Sequence, residues 1–560
     1  FNGEIYNYRE LRKELVQLGH QFKSDSDTEV ILHAFQEWGD AAVERFIGMF
    51  AFVLYDEDKG VVRCYRDRAG VKPFYYWFKN NLFLFGSELK ALISHPSFVK
   101  VVEKRVLPNY LQYGYVPAPY SIFKDCYKLE PGYQLKLNLH NQGIHLKAYW
   151  NSLDYYSKPK LDISYAAAKR ELHNLLHSAF QYRMIADVPV GVFLSGGYDS
   201  TAVTALLQSQ LDTRLNTFTI GFEDGNNEAP FAKETAKLLG TNHTEYICTT
   251  KEAQDIIAEL PYFYDEPFGD SSAIPTTLVS QIARKSVTVA LSADGGDEIF
   301  CGYHSYFNLN RFNTLLNKVP KTIKPWLSKL SPLLHSIDFS SNPSIWHKAT
   351  SALEALNNDE QKQVELLFQR TNEKPRRYIS SFFKEPLQQT KSPFIIDNGR
   401  FDQPLEVAMA VDYKSYLQND ILTKVDRATM SVGLEGREPL LDHRIMEFAA
   451  RLPLAYKYQG KDNGKRILKD IVHNYIPEEM MNRPKTGFSL PIYAWLRSDL
   501  NHLLEEFLSK ESLAWSGIWN VEFVYGQVQA FRQKKLHYTP LIWYLLMFQM
   551  WWKRWMIDNP

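Results

Sequence analysis

Residues 190–200 read VGVFLSGGYDS. The apolar run Val188–Leu194 (VPVGVFL) is continuous rather than alternating, which predicts a strand buried on both faces. Ser195-Gly196-Gly197-Tyr198-Asp199-Ser200 then turns into Thr201–Leu211, which has helical spacing. The two glycines let the backbone turn sharply and approach a ligand closely. The helix that follows offers free N–H groups and the positive end of its dipole, and Ser195 and Ser200 add hydroxyl donors, so the turn makes an anion cradle. Asp199 would repel a bare phosphate, and its presence implies Mg²⁺ riding on the phosphates. Neither GxxxxGKS nor GxxxxGKT occurs, so this is not the Walker-type phosphate loop.

The same grammar extends outward. Ala166–Gln181 and Ala229–Leu239 have helical periodicity, and Leu215–Phe222 and Ser286–Leu291 are apolar strands. Strands alternating with helices imply a parallel sheet covered on both faces. From about residue 305 the chain reads as mostly helical, ending in a buried helix at Leu541–Trp552, too short to span a membrane. Residues 1–150 differ: Arg45–Tyr55, Val61–Arg66, Phe74–Phe78 and Leu82–Phe85 are short β-prone runs, with helices at Glu29–Trp38 and Glu88–Ile93. The polar stretch Asn151–Asp162 separates the two regimes. The expected fold is therefore two domains: an α+β antiparallel-sheet domain at 1–150 and an α/β parallel-sheet domain with a helical extension at 163–560.

Composition agrees with a globular chain. Of 560 residues, 45% are hydrophobic and 23% charged, and 64 basic residues balance 64 acidic ones. That balance argues against bulk binding to a nucleic-acid backbone. The four cysteines form no CxxC pair, which argues against a zinc knuckle or disulfide scaffold and favours a reducing, cytoplasmic setting.

A second loop, Leu291–Tyr303 (LSADGGDEIFCGY), follows the last apolar strand and so lies at the carboxyl edge of the sheet, where open α/β folds bind ligands. It carries Asp294, Asp297 and Glu298 beside Gly295-Gly296. Asp199 and Asp297, on two loops of one sheet edge, are the expected magnesium ligands. Lys465 and Lys485 are candidates to neutralise phosphate charge there.

The SGGYDS turn resembles the PP-loop of ATP pyrophosphatases, and the chain as a whole resembles glutamine-dependent asparagine synthetases. The resemblance runs through NGEIYN (residues 2–7), Arg66-Asp67-Arg68 with Lys72-Pro73, Ser87-Glu88-Leu89-Lys90, YGYVPAP (113–119), both glycine turns, Asp420–Arg427, Leu434–Asp442 and Arg483–Phe488. It implies ATP as substrate, Mg²⁺, and small-molecule partners (glutamine or ammonia, and aspartate), with no nucleic acid and no membrane; a homodimer is compatible with it. Leu194, Ser195, Gly196, Gly197, Asp199, Ser200, Ile220, Ser292 and Ala293 would bind ATP. Asp294 would take the proton from ammonia attacking the acyl-adenylate, and Lys465 would lie on the intermediate and pyrophosphate. Glu435 and Arg437 would belong to the acceptor pocket.

In the first domain, Asn2-Gly3 read alone is a hairpin signal. By resemblance, the Asn2 amide and the Gly3 N–H form an oxyanion hole, and Glu4 and Asp27 hold the amino-acid end of glutamine. Asp27 equally reads as part of a helix-capping cluster. The family's nucleophile is an N-terminal cysteine. No cysteine precedes Cys64, which matches no catalytic motif, so the chain as it stands is expected to use ammonia rather than hydrolyse glutamine, an N-terminal segment being absent. Two rivals remain open on sequence: the same chemistry on another carboxylate, such as a sugar uronate, and a non-catalytic sensor or scaffold.

Overall fold

The computed structural model describes residues 1–223, 227–320, 322–328, isolated positions between 353 and 374, 376–393, 401, 403–460, 463–481, 490–536 and 538–559. The 483–488 motif, with Lys485, lies outside them.

The amino-terminal region is built on strands β1 (Asn2–Ile5), β2 (Gly48–Asp56), β3 (Val61–Arg66), β4 (Tyr75–Lys79), β5 (Leu82–Gly86), β6 (Cys126–Lys128), β7 (Tyr133–Asn138) and β8 (Ile144–Ala148). They form two antiparallel sheets, ordered β1-β2-β3-β7-β8 and β5-β4-β6. Asn2-Gly3 is not a hairpin. Both residues lie inside β1, with Asn2 opposite Ala51 and Gly3 opposite Phe50. Gly3 has φ +135°, and a Cβ there would overlap the Met49 carbonyl, so the position demands glycine because two backbones meet.

The second region holds β9 (Val190–Phe193), β10 (Asn216–Phe222), β11 (Asn242–Cys248), β12 (Val289–Leu291) and β13 (Glu435–Arg437), all parallel, in the order β11-β10-β9-β12-β13. The chain winds one way from β9 through β10 to β11, then returns to β12 on the other side. The crevice between β9 and β12 is thus the topological switch point, where open α/β sheets bind ligands. The apolar strands sit where their sequence predicts. The two edge strands break the apolar rule: β11 (NHTEYIC) is half exposed, and β13 is only EGR, because an edge borders solvent or another domain rather than covering helices.

Helices Tyr165–Arg183, Tyr198–Gln208, Ala229–Leu239 and Ala273–Arg284 cover the sheet. Tyr416–Met430, with helical spacing through Leu417, Ile421, Val425 and Ala428, lies in a helix that changes pitch: Tyr413–Ile421 winds in the wider π form and Leu422–Met430 is α-helical. The closing helix, Pro540–Trp552, is buried almost all round. Its one amide, Gln549, is satisfied there: Oε1 accepts from Trp519 Nε1 at 3.1 Å and Nε2 donates to the Ser512 carbonyl at 2.6 Å. Among the described residues, no helix is long and apolar enough to cross a membrane. All four cysteines are buried and unpaired with one another, and burial raises the Cys64 thiol well above its ordinary value, which leaves it a packing residue.

Candidate active site

The turns after β9 and β12 meet over the switch point, on a cavity of about 800 Å³. The first turn is held by its own side chains. Ser195 Oγ accepts from Gly197 N at 3.3 Å and lies 3.0 Å from Ser200 Oγ, which donates to the Gly197 carbonyl at 3.2 Å. Gly196 takes φ +72° to make the bend. Helix Tyr198–Gln208 therefore starts with its N-terminus facing the cavity, the arrangement for an anion.

Lys465 ties the two turns together. Its ammonium lies 2.5 Å from Asp199 and 2.7 Å from Asp297. Burial works against its charge, but the two carboxylates outweigh burial and raise its pKa. The backbone supports this contact at some cost. Lys465 has φ +57°, an uncommon conformation for a residue with a Cβ, and is fixed there by its N–H donating to the Phe300 carbonyl at 2.9 Å. A Cβ at Gly302 would overlap both Lys465 Cε and the Asp297 carboxylate, and one at Gly296 would lie 2.5 Å from Asp199. Those two glycines allow the side chains to converge.

Asp294 lines the cavity and accepts from Ser292 Oγ at 2.5 Å. Burial raises its pKa, while Lys424 pulls the other way. Lys424 reaches the cavity from helix Leu422–Met430 and is anchored by Asp270 at 3.2 Å and Ser272 Oγ at 3.0 Å. Glu298 is a different kind of carboxyl. Burial, with Asp297 adding, pushes it up to about 8, and it accepts from Tyr303 Oη at 2.7 Å.

Of the sequence-predicted nucleotide residues, Leu194, Ser195, Gly196, Gly197, Asp199, Ser200, Ser292 and Ala293 line this cavity, with Asp294, Asp297 and Lys465. Ile220 does not; it is packed in the core, and its strand lends Phe218 and Thr219 to the wall instead. Glu435 and Arg437 also lie off the cavity. As the edge strand β13 they face the amino-terminal region, where Arg437 reaches Glu4 at 3.4 Å. The neighbouring helix face divides likewise: Asp426 pairs with Lys72 at 3.4 Å and Arg427 with Glu88 at 3.1 Å, leaving Lys424 to the cavity. Sequence reading missed Tyr303 and Lys424, which Asp270 anchors, as cavity features. Their signal was weak, since a tyrosine after a glycine and a lysine on a helix have many ordinary uses.

In the amino-terminal region, Asn2, Gly3 and Glu4 lie along β1, and Asp27 Oδ2 accepts from Ile5 N at 3.0 Å at that strand's end. The four predicted glutamine residues are therefore brought together. The capping role in that cluster belongs to Ser26, whose Oγ accepts from Thr28 N at 3.1 Å. Asn2 Nδ2 donates to Ser87 Oγ at 2.9 Å, and the Ser87 carbonyl accepts from Arg427 at 2.8 Å.

A family model described as asparagine synthase matches residues 171–553. The chain belongs to the asparagine synthase family. A second model, of the glutamine amidotransferase domain, matches residues 1–150. A Methanocaldococcus jannaschii protein, provisionally named asparagine synthetase (glutamine-hydrolysing) 2, is 41% identical over 336 residues, covering 59% of this chain and 63% of that one. Asparagine synthetase (glutamine-hydrolysing) 1 of Bacillus subtilis strain 168 is 30% identical over 98% of this chain and 84% of its own length. Number 3 of the same organism is 28% identical over 92% of this chain and 80% of its own. The family is one of ligases, and an enzyme of this class joins an amidotransferase domain to a synthetase domain.

Proposed function

We propose that the protein amidates the side-chain carboxylate of aspartate at the expense of ATP, with ammonia or glutamine as nitrogen source, giving asparagine, AMP and pyrophosphate. The observation that carries this reading is the meeting of the SGGYDS and SADGGDE turns on one cavity, with Lys465 between Asp199 and Asp297.

The chain's own groups suit each step. The Ser195–Ser200 turn and the helix N-terminus behind it receive the phosphates. An aspartate carboxylate oxygen attacks the α-phosphorus, pyrophosphate leaves, and Lys465 meets the charge that develops on the leaving group. Ammonia then adds to the acyl carbon of aspartyl-AMP, Asp294 accepts a proton from the attacking nitrogen, and AMP departs. A buried Asp294 with a raised pKa is a better base for this than a solvated carboxylate, and Lys424 opposes the rise.

Asp199 and Asp297 fit a magnesium ion by the chemistry of their donors. Both are carboxylates on the two turns that line the cavity, and carboxylates completed by phosphate oxygens and water make the usual Mg²⁺ environment. Magnesium bound there would neutralise phosphate charge and orient the polyphosphate.

With glutamine, Glu4 and Asp27 would hold the α-ammonium and α-amino-acid end, and Asn2 and Gly3 would serve the amide oxygen. Ammonia reaching that site would cross the buried seam to Asp294 without meeting bulk water. The test is pyrophosphate release with ATP, Mg²⁺ and ammonium chloride. Release that requires aspartate supports the reading. Release driven by a sugar uronate and indifferent to aspartate reassigns the acceptor, and no release with any carboxylate favours a non-catalytic role.

A further inference from the structure

Arg437, which the ATP chemistry does not use, joins the two regions through Glu4. Its side chain is buried at 2% exposure, and three of its contacts are short: Nε to Glu435 at 2.6 Å, and one terminal nitrogen to the carbonyls of Arg183 at 2.9 Å and Ile185 at 2.6 Å. The other terminal nitrogen holds Glu4 at 3.4 Å, longer than the rest. Tyr6 of the amino-terminal region lies 5.4 Å from this guanidinium and 4.7 Å from that of Arg183. The same residue's main-chain carbonyl accepts from Ser292 N at 2.9 Å, and Ser292 Oγ donates to Asp294. Three contacts therefore run from Glu4 through Arg437 and Ser292 to the base in the ATP cavity.

We propose that Arg437 is a positioning residue that couples occupancy of an α-amino acid at Glu4 to nucleotide binding at the β9–β12 crevice, so that each ligand tightens the other. The proposal rests on the glutamine reading of Glu4 given above. The physical reason is a difference in contacts between the free and occupied states, without which no coupling exists. In the free state burial holds the Glu4 carboxyl up at about 7; Arg437 opposes that, while Glu435 and Asp27 add to it. Glu4 is then shared between neutral and charged forms and holds Arg437 loosely. An α-ammonium beside it keeps it charged, which strengthens its pull on the guanidinium. Arg437 belongs to an edge strand only three residues long, so tightening its side chain steadies the carbonyl that holds Ser292. Arg437 touches no reacting atom.

The experiment is calorimetric, on the full chain. L-glutamate is the probe for the amino-acid site, because it carries the α-ammonium and is not hydrolysed; α,β-methylene-ATP with Mg²⁺ is the probe for the cavity. In wild type, saturating glutamate is expected to tighten the nucleotide at least fivefold, and saturating nucleotide to tighten glutamate by the same factor. Arg437→Met is expected to bring both factors to one while leaving each ligand's separate binding measurable, and Arg437→Lys to restore part of the coupling. A purely structural arginine would weaken melting in both variants without changing the ratio. Coupling retained in Arg437→Met overturns the proposal alone, as does a wild-type factor of one with both ligands bound. Glutamate that fails to bind wild type overturns the glutamine reading and the proposal with it. If Arg437→Met does not fold, undiminished coupling in Arg437→Lys together with equal coupling in Glu435→Gln, which removes the guanidinium's closest carboxylate, overturns it.

Discussion

Lys465→Met removes the charge that holds the two turns together and keeps the side chain's length. Methionine faces the same left-handed backbone as lysine, so strain is unchanged and the effect isolates the ammonium. Without it Asp199 and Asp297 face each other with oxygens no more than about 5 Å apart, given their contacts of 2.5 and 2.7 Å to one nitrogen. Two unit charges at that separation repel by about 3 kcal/mol at an effective dielectric of about 20. Removing one partner from a buried ion pair costs about 3–5 kcal/mol, of the same order. In the free protein, protonation of one aspartate relieves part of this. In the reaction it gives no relief, because the leaving pyrophosphate brings more negative charge to the same point. Loss of one preorganised charge aimed at a leaving group lowers kcat by about 10²–10³. The assay is steady-state pyrophosphate release with saturating ammonium chloride and aspartate, alongside thermal melting. Adding Asp199→Asn to Lys465→Met should cost less than the two single losses combined, because the groups act as a unit. A Lys465→Met enzyme within about threefold of wild-type kcat would refute the reasoning.

Other expectations follow from individual contacts. Asp294→Asn should slow the ammonia step by about 10²–10⁴, yet leave aspartate-dependent exchange of labelled pyrophosphate into ATP, since adenylation does not need that base; parallel loss of both would reassign Asp294 to nucleotide binding. Gly302→Ala places a methyl on Lys465 Cε and the Asp297 carboxylate, so it should mimic Lys465→Met in the release assay, and normal turnover would mean the two side chains have room to part. Glu438 is buried, its Oε2 has no hydrogen-bond partner, and burial, with Asp294, Asp426 and Asp67 adding and Lys72 opposing, pushes it up to about 8. A carboxyl raised in the folded state contributes stability below its unfolded value near 4.5 and loses it as pH rises to about 8. The contribution of this one group changes by up to about 1.4 kcal/mol per pH unit in that window. Glu438→Gln should therefore flatten the fall in melting temperature between pH 5 and pH 8, and an unchanged profile would show that Glu438 is ionised in the fold.

What could be read from the sequence follows from how local the cause is. The SGGYDS turn announces itself because strand, glycines, hydroxyls and helix are consecutive, and the structure keeps them so. The central strands are legible because burial on both faces forces an apolar run. Strand β13 is not, since three residues with two charges look like loop; its pairing is set by the register with β12 and by what Arg437 and Glu435 meet across the seam. The acceptor-pocket expectation for Arg437 rests on resemblance alone, which places a residue near a site but not on a face. Lys465 could be singled out only by resemblance, because a lysine with positive φ has no sequence signature and its two partners lie 266 and 168 residues away. Asn2-Gly3 misleads when read alone, because the glycine that commonly makes a turn is here needed for a close strand pair.

The central claim is that one pocket both binds ATP and activates a carboxylic acid on its α-phosphorus. Aspartate labelled with ¹⁸O in its side-chain carboxylate, turned over with ATP, Mg²⁺ and ammonium chloride, tests this by mass spectrometry of the nucleotide product. Attack on the α-phosphorus delivers one ¹⁸O to the phosphate of each AMP. Label appearing in inorganic phosphate, with ADP as the nucleotide, would place the attack at the γ-phosphorus and contradict the account.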